Sequence, residues 1–368
     1  MNILFVQQQP CIRALKYAKG LKAFMPEIKL NFAYIGKTLS EIYGHGDELF
    51  ETWIPIDNET EEKLLAIREN TKIDIIHCHN APDTLTNMCI KLFKNKIPIV
   101  HDIHDLMSAR DTIYEDGIET SDVIRDVMLE ERIAVEKSDA VITVASEIFN
   151  QVRAHGFNLV ENNLIYHNYI PQSFIPDSKQ KENIDIAKKL KIVYQGFISS
   201  DPKSHYYFKD IFQNLAEQGF EIHIYPSRDN TDYRILAEEN ENIFYHNHRR
   251  PDELYQELGK YDFGWTGFNA AVNLRHLDTV MPNKLFEYIA CGLSILTLPH
   301  KSLVHFVNEN EVGIVVEDLN KCMEMVQKTD WVKILSNVHE NKYAYSVEAN
   351  LSKVIAVYNL AIQNIGRS

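Results

Sequence analysis

No two cysteines in this chain are spaced as a metal or redox motif. Cys11, Cys78, Cys89, Cys291 and Cys322 are odd in number, scattered, and form no CxxC pair or Cys/His cluster. That excludes a structural zinc and a disulfide framework. Most of them lie in apolar runs, where a reduced thiol behaves as a small hydrophobe. Long hydrophobic runs are missing too, and none approaches the roughly 20 residues needed to span a bilayer. The opening Met1-Asn-Ile-Leu-Phe-Val6 is too short for a signal-peptide core and gives way at once to Gln7-Gln8-Gln9-Pro10. A cytoplasmic, reducing location is expected. Positive charge is in deficit: 38 Lys and Arg stand against 52 Asp and Glu, for a net charge of −14. A general nucleic-acid binder needs the opposite balance. No internal repeat and no low-complexity tract is present.

What the chain does have is alternation. Its 368 residues, 45% hydrophobic, suit two soluble domains. Short apolar runs at Ile3–Gln7, Leu30–Ile35, Ile73–His77, Ile97–Asp102, Ala140–Val144 and Asn163–Tyr166 predict buried strands. Helical patterns separate them at Ile12–Phe24, Glu59–Asn70, Thr84–Lys94, Val123–Glu136 and Glu147–Ala154. Strands that are apolar throughout, alternating with helices, predict an α/β fold with a parallel sheet covered on both faces. Residues 1–170 therefore read as one Rossmann-like doubly wound domain. Residues 171–190 carry Pro171, Pro176 and a polar run, and read as a linker. Alternation restarts at Lys191–Gly196 and continues through Phe220–Tyr225, Ile243–Tyr245, Phe263–Thr266, Ser294–Leu298 and Gly313–Val316. Residues 191–344 thus form a second Rossmann-like domain. A final helix, about 345–368, is long enough to pack back on the first. Two such domains facing across a cleft would bind a ligand at the carboxyl ends of their strands.

Within Met281–Leu298, Lys284 and Glu287 lie three apart on the first turn of an apolar helix. Helix-terminal N–H groups and a mobile cation suit a phosphate, and a carboxylate suits a pair of sugar hydroxyls. The ordinary alternative is an amphipathic helix with surface charges and a Gly292 C-cap. In the first half, His101-Asp-Ile-His-Asp105 reads as a histidine with a neighbouring carboxylate to fix its tautomer, Asp102 or Asp105. It reads equally as a solvated strand end, or as metal ligands at i, i+3 and i+4. His77, His79, Asn80 and Asp83 line the same strand-end edge, where they touch a ligand or cap a helix. Arg13, Lys16, Lys19 and Lys22 form one row on the first helix. That row is a charged outer face, or a peripheral membrane contact through residues 12–24.

The ordered set of Val193-Tyr-Gln-Gly-Phe-Ile198, Lys203, Pro282-Asn-Lys-Leu-Phe-Glu-Tyr-Ile-Ala-Cys-Gly292, Pro98–Asp105, Ser138–Ser146 and Ile165–Asn168 resembles the GT-B glycosyltransferases of the retaining family 4 type. The resemblance spans nearly the whole chain. It implies transfer of a hexosyl group from a UDP- or GDP-sugar to an acceptor hydroxyl, with retention, without a metal and without a cofactor. The acceptor would be a saccharide, a lipid-linked sugar or a protein. Glu287 matches the glutamate that holds the donor ribose, Lys284 and Lys203 the phosphate cations, and Gly196 the close turn against the diphosphate. His104, with Asp105 beside it, matches the histidine near the bond being made. There are departures. Phe197 stands where relatives often have an arginine, and Arg275 is a substitute cation. Thr279 stands where many carry a second glutamate, which moves sugar contacts to Asn273, His276, Asp278 and Thr279. The loop after the first strand is not glycine-rich, and Gln8 and Gln9 are the acceptor-side candidates. Phe197 and Thr279 also support a catalytically inactive GT-B partner or chaperone subunit. A GT-B nucleotide-sugar epimerase is the remaining alternative.

Overall fold

The computed structural model describes residues 1–57, 60–111, 126–177 and 181–365, with only the main chain of residue 252. The predicted helix start at Val123 lies outside the described residues. The chain forms two compact units, one of residues 1–108, 126–171 and 347–365, the other of residues 109–111 and 172–346.

The first unit runs β1 (Asn2–Gln7), α1 (Ile12–Phe24), β2 (Lys29–Tyr34), α2 (Leu39–Tyr43), β3 (Thr52–Pro55), α3 (Thr60–Asn70), β4 (Ile75–His79), α4 (Thr84–Phe93), β5 (Ile99–Ile103), α5 (Val127–Lys137), β6 (Ala140–Thr143), α6 (Ser146–Ala154) and β7 (Asn163–Ile165). Its seven strands are all parallel in the order β3-β2-β1-β4-β5-β6-β7. Strand order reverses between β1 and β4, which is where a doubly wound sheet binds ligand. β3 was not foreseen. It is an edge strand with half-buried Trp53 and Ile54 and ends on Pro55, which an edge tolerates.

Alternate residues of these strands face opposite layers. Leu4, Val6, Ile76, Cys78 and Ile99 join one core with Cys89 and Phe93 of α4. Phe5, His77 and His79 face the other way, toward Tyr17 of α1. Two of the apolar-looking strands therefore carry their polar side chains on chosen faces, His77, His79 and Asp102 on one and His101 on the other. The expected strand at Ile73–His77 begins two residues later, at Ile75, just after Asp74, whose carboxylate accepts the Asn2 backbone N–H at 2.8 Å.

The second unit runs β8 (Lys191–Gly196), α7 (Lys209–Glu217), β9 (Glu221–Pro226), α8 (Thr231–Glu239), β10 (Ile243–Tyr245), α9 (Pro251–Leu258), β11 (Phe263–Trp265), α10 (Leu274–Leu277), α11 (Asn283–Ala290), β12 (Ser294–Thr297), α12 (Lys301–Asn310), β13 (Gly313–Val315), α13 (Cys322–Lys328) and α14 (Trp331–Ala344). Its parallel sheet has the order β10-β9-β8-β11-β12-β13, with the switch between β8 and β11. The last helix, α15 (Val347–Ile365), returns to the first unit. It meets α1 at Gly20, where a Cβ would lie 2.1 Å from Val347 Cγ1. Only glycine allows that approach. No helix of the described residues is long and apolar enough to cross a membrane.

Candidate functional site

The switch point of the second unit gathers Gly196, Gln195, Lys284 and Glu287. Gly196 ends β8 with φ +127°, a conformation that needs glycine whatever the surrounding space. A Cβ there would meet only ordinary contacts, Lys284 Nζ at 3.6 Å and Tyr194 Oη at 3.7 Å. The turn itself, more than lack of room, fixes the residue. The Lys284 ammonium lies 3.9 Å from the Tyr194 ring centroid, with Phe268 at 5.3 Å and Phe208 at 5.9 Å. The rings hold the cation through their π faces while excluding water. That burial pushes the Lys284 pKa down to about 7, against an opposing pull from Glu287. Among the described residues, no oxygen accepts a hydrogen bond from this ammonium.

Glu287 is occupied differently. One carboxylate oxygen accepts a hydrogen bond from the Gln195 side-chain amide. The next residue, Tyr288, accepts the Gln195 backbone N–H on its hydroxyl at 2.9 Å. Its ring crosses β11 at Gly264, where a Cβ would lie 2.1 Å from Tyr288 Cδ2. Thus β8, β11 and α11 are pinned together at the residues that bear Lys284 and Glu287. Gln195 was not foreseen as part of this arrangement. Its signal was a lone polar residue inside an otherwise apolar strand.

Lys203 is exposed on the loop after β8. That loop is tied to the loop after β11 by Asn269, whose amide donates to Pro202 O at 3.2 Å and Ser204 O at 3.1 Å. Phe197 packs edge-on against Tyr206, with centroids 5.2 Å apart.

The four residues expected to contact the sugar are committed inward. Asn273 is fully buried in a left-handed conformation at φ +57°. Its Oδ1 accepts the Asp111 N–H at 2.7 Å and its amide meets His205 Nδ1 at 3.1 Å. Thr279 donates to His276 O at 2.7 Å, and His276 is itself buried. Asp278 pairs with Lys301 at 2.8 Å and accepts the Lys301 N–H at 3.2 Å, which anchors the start of α12. Asn273 and Thr279 thus hold the β11–α11 connection together, and Asp278 holds the start of α12. Arg275, offered as a substitute cation, reaches Asp111 at 3.4 Å.

In the first unit, the strand ends of β4 and β5 hold a buried polar network. Asp102 is fully buried and accepts both Nε and Nη2 of Arg13 at 3.0 Å. Arg13 also donates to Tyr166 O at 2.9 Å, His167 O at 3.0 Å, Asn168 Oδ1 at 3.1 Å and Tyr17 Oη at 3.1 Å. Burial alone would raise the Asp102 pKa, but Arg13 and then His77 hold it well below the usual carboxylate range. His77 bridges Asp102 Oδ2 at 3.2 Å and the Tyr358 hydroxyl of α15 at 2.5 Å. His79 Nδ1 lies 3.0 Å from His104 Nε2. Asn80 Oδ1 accepts the His104 backbone N–H at 2.8 Å, and the Asn80 amide donates to Asp105 O at 2.7 Å.

Asp102 was one of two residues expected to hold the His104 tautomer. Its oxygen is 3.8 Å from His104 Nε2, beyond hydrogen-bond reach, and His79 occupies that position instead. His101 points to the opposite face, where it meets Asp83 at 3.2 Å and Thr86 at 3.0 Å. It therefore cannot share a metal with His104 and Asp105. His77, His79 and Asp102 do bring ligand atoms within 4.8 Å of one another. A cation fits poorly there, because the Arg13 guanidinium already takes both Asp102 oxygens and Tyr358 takes His77 Nδ1.

Gln8 and Gln9 follow β1 and are exposed. Gln9 is tied to the loop after β2, donating to Lys37 O at 2.9 Å and accepting its N–H at 3.2 Å. The basic row on α1 is also corrected: Arg13 and Lys16 are 3% and 2% exposed, so they face the interior. Lys22 donates to Ile28 O and pairs with Glu51. Of the row, Lys19 and Lys22 are the two that reach solvent, both half-buried.

Comparison with known proteins follows the same division. Residues 53–166 match the family model described as Glycosyltransferase Family 4. Residues 206–354 match the Glucosyltransferase 3-like, C-terminal domain. No curated protein sequence gives a significant match. Among solved structures, a glycosyltransferase from Rickettsia africae ESF-5 superposes with a TM-score of 0.67 at 14% identity, over 99% of each chain. Anabaena Alr3699/HepE in complex with UDP gives 0.65 at 15% identity, over 97% of this chain and 100% of that one. WaaG, a glycosyltransferase involved in lipopolysaccharide biosynthesis, gives 0.57 at 14% identity, over 96% and 99%. At these identities the superpositions establish the fold, which is GT-B. Each of the two sequence models covers less than half of the chain, and both describe glycosyltransferases.

Proposed function

We propose that this enzyme transfers a hexosyl group from a nucleotide diphosphate sugar to an acceptor hydroxyl, with retention, and with neither a metal nor a cofactor. The observation that carries the donor assignment is the Lys284 ammonium, caged by aromatic rings beside the Gly196 turn. A diphosphate would supply the oxygens this cation lacks and stabilise the charged lysine. Glu287, held by Gln195 at the same switch point, is the group for the ribose hydroxyls. Lys203 is the second phosphate cation. Uridine is the first base to test, since Anabaena HepE has been solved with UDP and with UDP-glucose.

Retention without an enzyme nucleophile is supported by Asp102, a carboxylate 3.8 Å from His104 Nε2. Both its oxygens are bound by Arg13, so it is not available to attack. In this reading the departing phosphate oxygen takes the acceptor proton, lysine charge stabilises the leaving group, and His104 hydrogen-bonds a sugar hydroxyl. Asp105 flanks it. Gln8 and Gln9 are the acceptor-side groups, for a saccharide, lipid-linked or protein acceptor.

The test is thermal stabilisation by UDP, GDP, ADP and CDP, followed by transfer assays from the matching sugars with and without EDTA. Saturation at about 100 times Kd adds roughly 2.7 kcal/mol. One nucleotide should stabilise the wild type and fail to stabilise Glu287→Ala. A second reading, a non-catalytic GT-B partner, is favoured by the inward commitment of Asn273 and Asp278. It would be selected by no nucleotide stabilising the protein.

A further inference from the structure

We propose that His79 is a positioning residue that sets the tautomer of His104, so that His104 presents an Nδ1–H donor to a sugar hydroxyl oxygen. The inference rests on the transferase reading above, but it concerns a geometry that can be read without turnover.

His79 Nδ1 and His104 Nε2 are 3.0 Å apart, so one proton must lie between them. Two arrangements satisfy that. If His104 Nε2 carries the proton, His79 must carry its own on Nε2. That atom is buried with no hydrogen-bond partner among the described residues, and a buried orphan N–H is the less tolerated kind of unsatisfied group. If His79 Nδ1 carries the proton, His79 Nε2 is left as a bare lone pair, which is the smaller penalty. The Asp102 carboxylate does not discriminate between the two, since its oxygens lie 3.7 Å from His79 Nδ1 and 3.8 Å from His104 Nε2; the buried Nε2 of His79 decides. His104 then accepts at Nε2, and its remaining proton must sit on Nδ1, which no described residue engages.

His79 is also held rigidly enough to impose this. Its ring stacks on His77 with centroids 4.4 Å apart and planes at 17°. Phe5 and Tyr17 close the other sides at 5.3 and 5.7 Å. His77 is in turn fixed by Asp102 and Tyr358, and Asp102 by Arg13. The groups facing the pair are therefore His77, Asp102, Arg13, Tyr17 and, beside His104, Asp105. Burial keeps both rings neutral at pH 7, His104 titrating only at about 4. A neutral imidazole has one donor and one acceptor, so fixing one nitrogen fixes the chemistry of the other. His104 is thereby a hydrogen-bond donor to substrate and not a base.

The experiment is a long-range 15N–1H spectrum of the histidine-labelled protein at pH 7.5, with His104 assigned by its absence in His104→Asn. We expect His104 in the Nδ1–H form. Finding it in the Nε2–H form overturns the proposal. Kinetics supply the second arm. His79→Asn keeps an amide donor near the Nδ1 position, whereas His79→Gln moves it toward Nε2. The Gln variant should lower kcat by roughly ten- to a hundred-fold, as loss of an orienting partner does, with donor KM within about twofold. The Asn variant should recover most of that loss. Equal kcat in the two variants overturns the positioning role. If the wild type transfers no sugar, the transferase reading fails, while the spectrum still decides the tautomer.

Discussion

The Lys284 ammonium sits 3.9 Å from the centroid of Tyr194, against the turn at Gly196, with its charge held on ring faces and no oxygen. A cation so placed is costly in the free enzyme and repaired by an anionic ligand. The sign is definite. A lysine with a folded pKa near 7 binds fewer protons than the unfolded chain between about pH 7 and 10.5, so stability rises through that window. Lys284→Met should therefore raise the melting temperature of the nucleotide-free protein, most clearly at pH 7 and below. The same variant should lose stabilisation by the nucleotide. Differential scanning fluorimetry with and without UDP measures both, and a less stable free variant would contradict the account.

The ligand side of that linkage is a separate measurement. Binding a diphosphate should return a proton to Lys284, so affinity should weaken as pH rises above 7. The limit is about tenfold per pH unit. Titration calorimetry at pH 8 in buffers of different ionisation enthalpy should report proton uptake in the wild type and none in Lys284→Met. A Kd that does not change between pH 7 and 9 would count against it.

Arg13 and Asp102 form a buried bidentate pair. Removing one partner strands the other, which typically costs about 3–5 kcal/mol. Arg13→Met should show a loss of that order in urea unfolding. Arg13→Met combined with Asp102→Asn should recover part of it, because the uncompensated charge is gone. A surface arginine would cost almost nothing, so the single variant alone separates an inward from an outward side chain.

Glu131 is buried with one oxygen accepting the Ser108 N–H at 2.8 Å and the other without a hydrogen bond. Burial, with nearby Asp83, raises its pKa to about 7. The folded state then holds an extra proton between about pH 4.5 and 7, so stability falls as pH rises through that window. Glu131→Gln should be more stable than the wild type at pH 8, by about 1–3 kcal/mol, and no more stable at pH 4.5. Urea midpoints at the two pH values test this.

Gly196→Ala should lose stability and nucleotide affinity together. The backbone at φ +127° is strained for any residue with a Cβ, at about 1–3 kcal/mol, even though the space beside it is open. A variant that loses affinity with an unchanged melting temperature would mean that crowding, and not backbone strain, is responsible.

Much of this architecture is legible in the sequence because buried parallel strands must be apolar throughout. Lys191–Gly196 and Ile243–Tyr245 stand at their expected bounds, and so does Ile12–Phe24. The side chains are less legible, because strand periodicity names a face and not its occupant. Arg13 sits in a row with Lys16, Lys19 and Lys22 that reads as solvent-facing, until Asp102 arrives from β5 to receive it. Nothing local to α1 announces a carboxylate 89 residues away. The internal bonds of Asn273, Asp278 and Thr279 are hidden for the complementary reason. Short polar side chains in a loop look available, but a buried connection needs its own hydrogen bonds, and these residues provide them. Lys284 and Glu287 were visible as a pair; the aromatic walls around Lys284 come from β8, the start of α7 and the loop after β11.

Tyr358 of α15 donates its hydroxyl to the network that β4, β5 and α1 assemble far earlier in the chain. Synthesis therefore delivers the last helix of the first unit only after residues 172–346 of the second unit have been made. Until α15 emerges, His77 lacks a partner for one ring nitrogen and the groove at Gly20 is open to water. The unit that begins first is therefore the one that waits for a segment from far downstream before it can close.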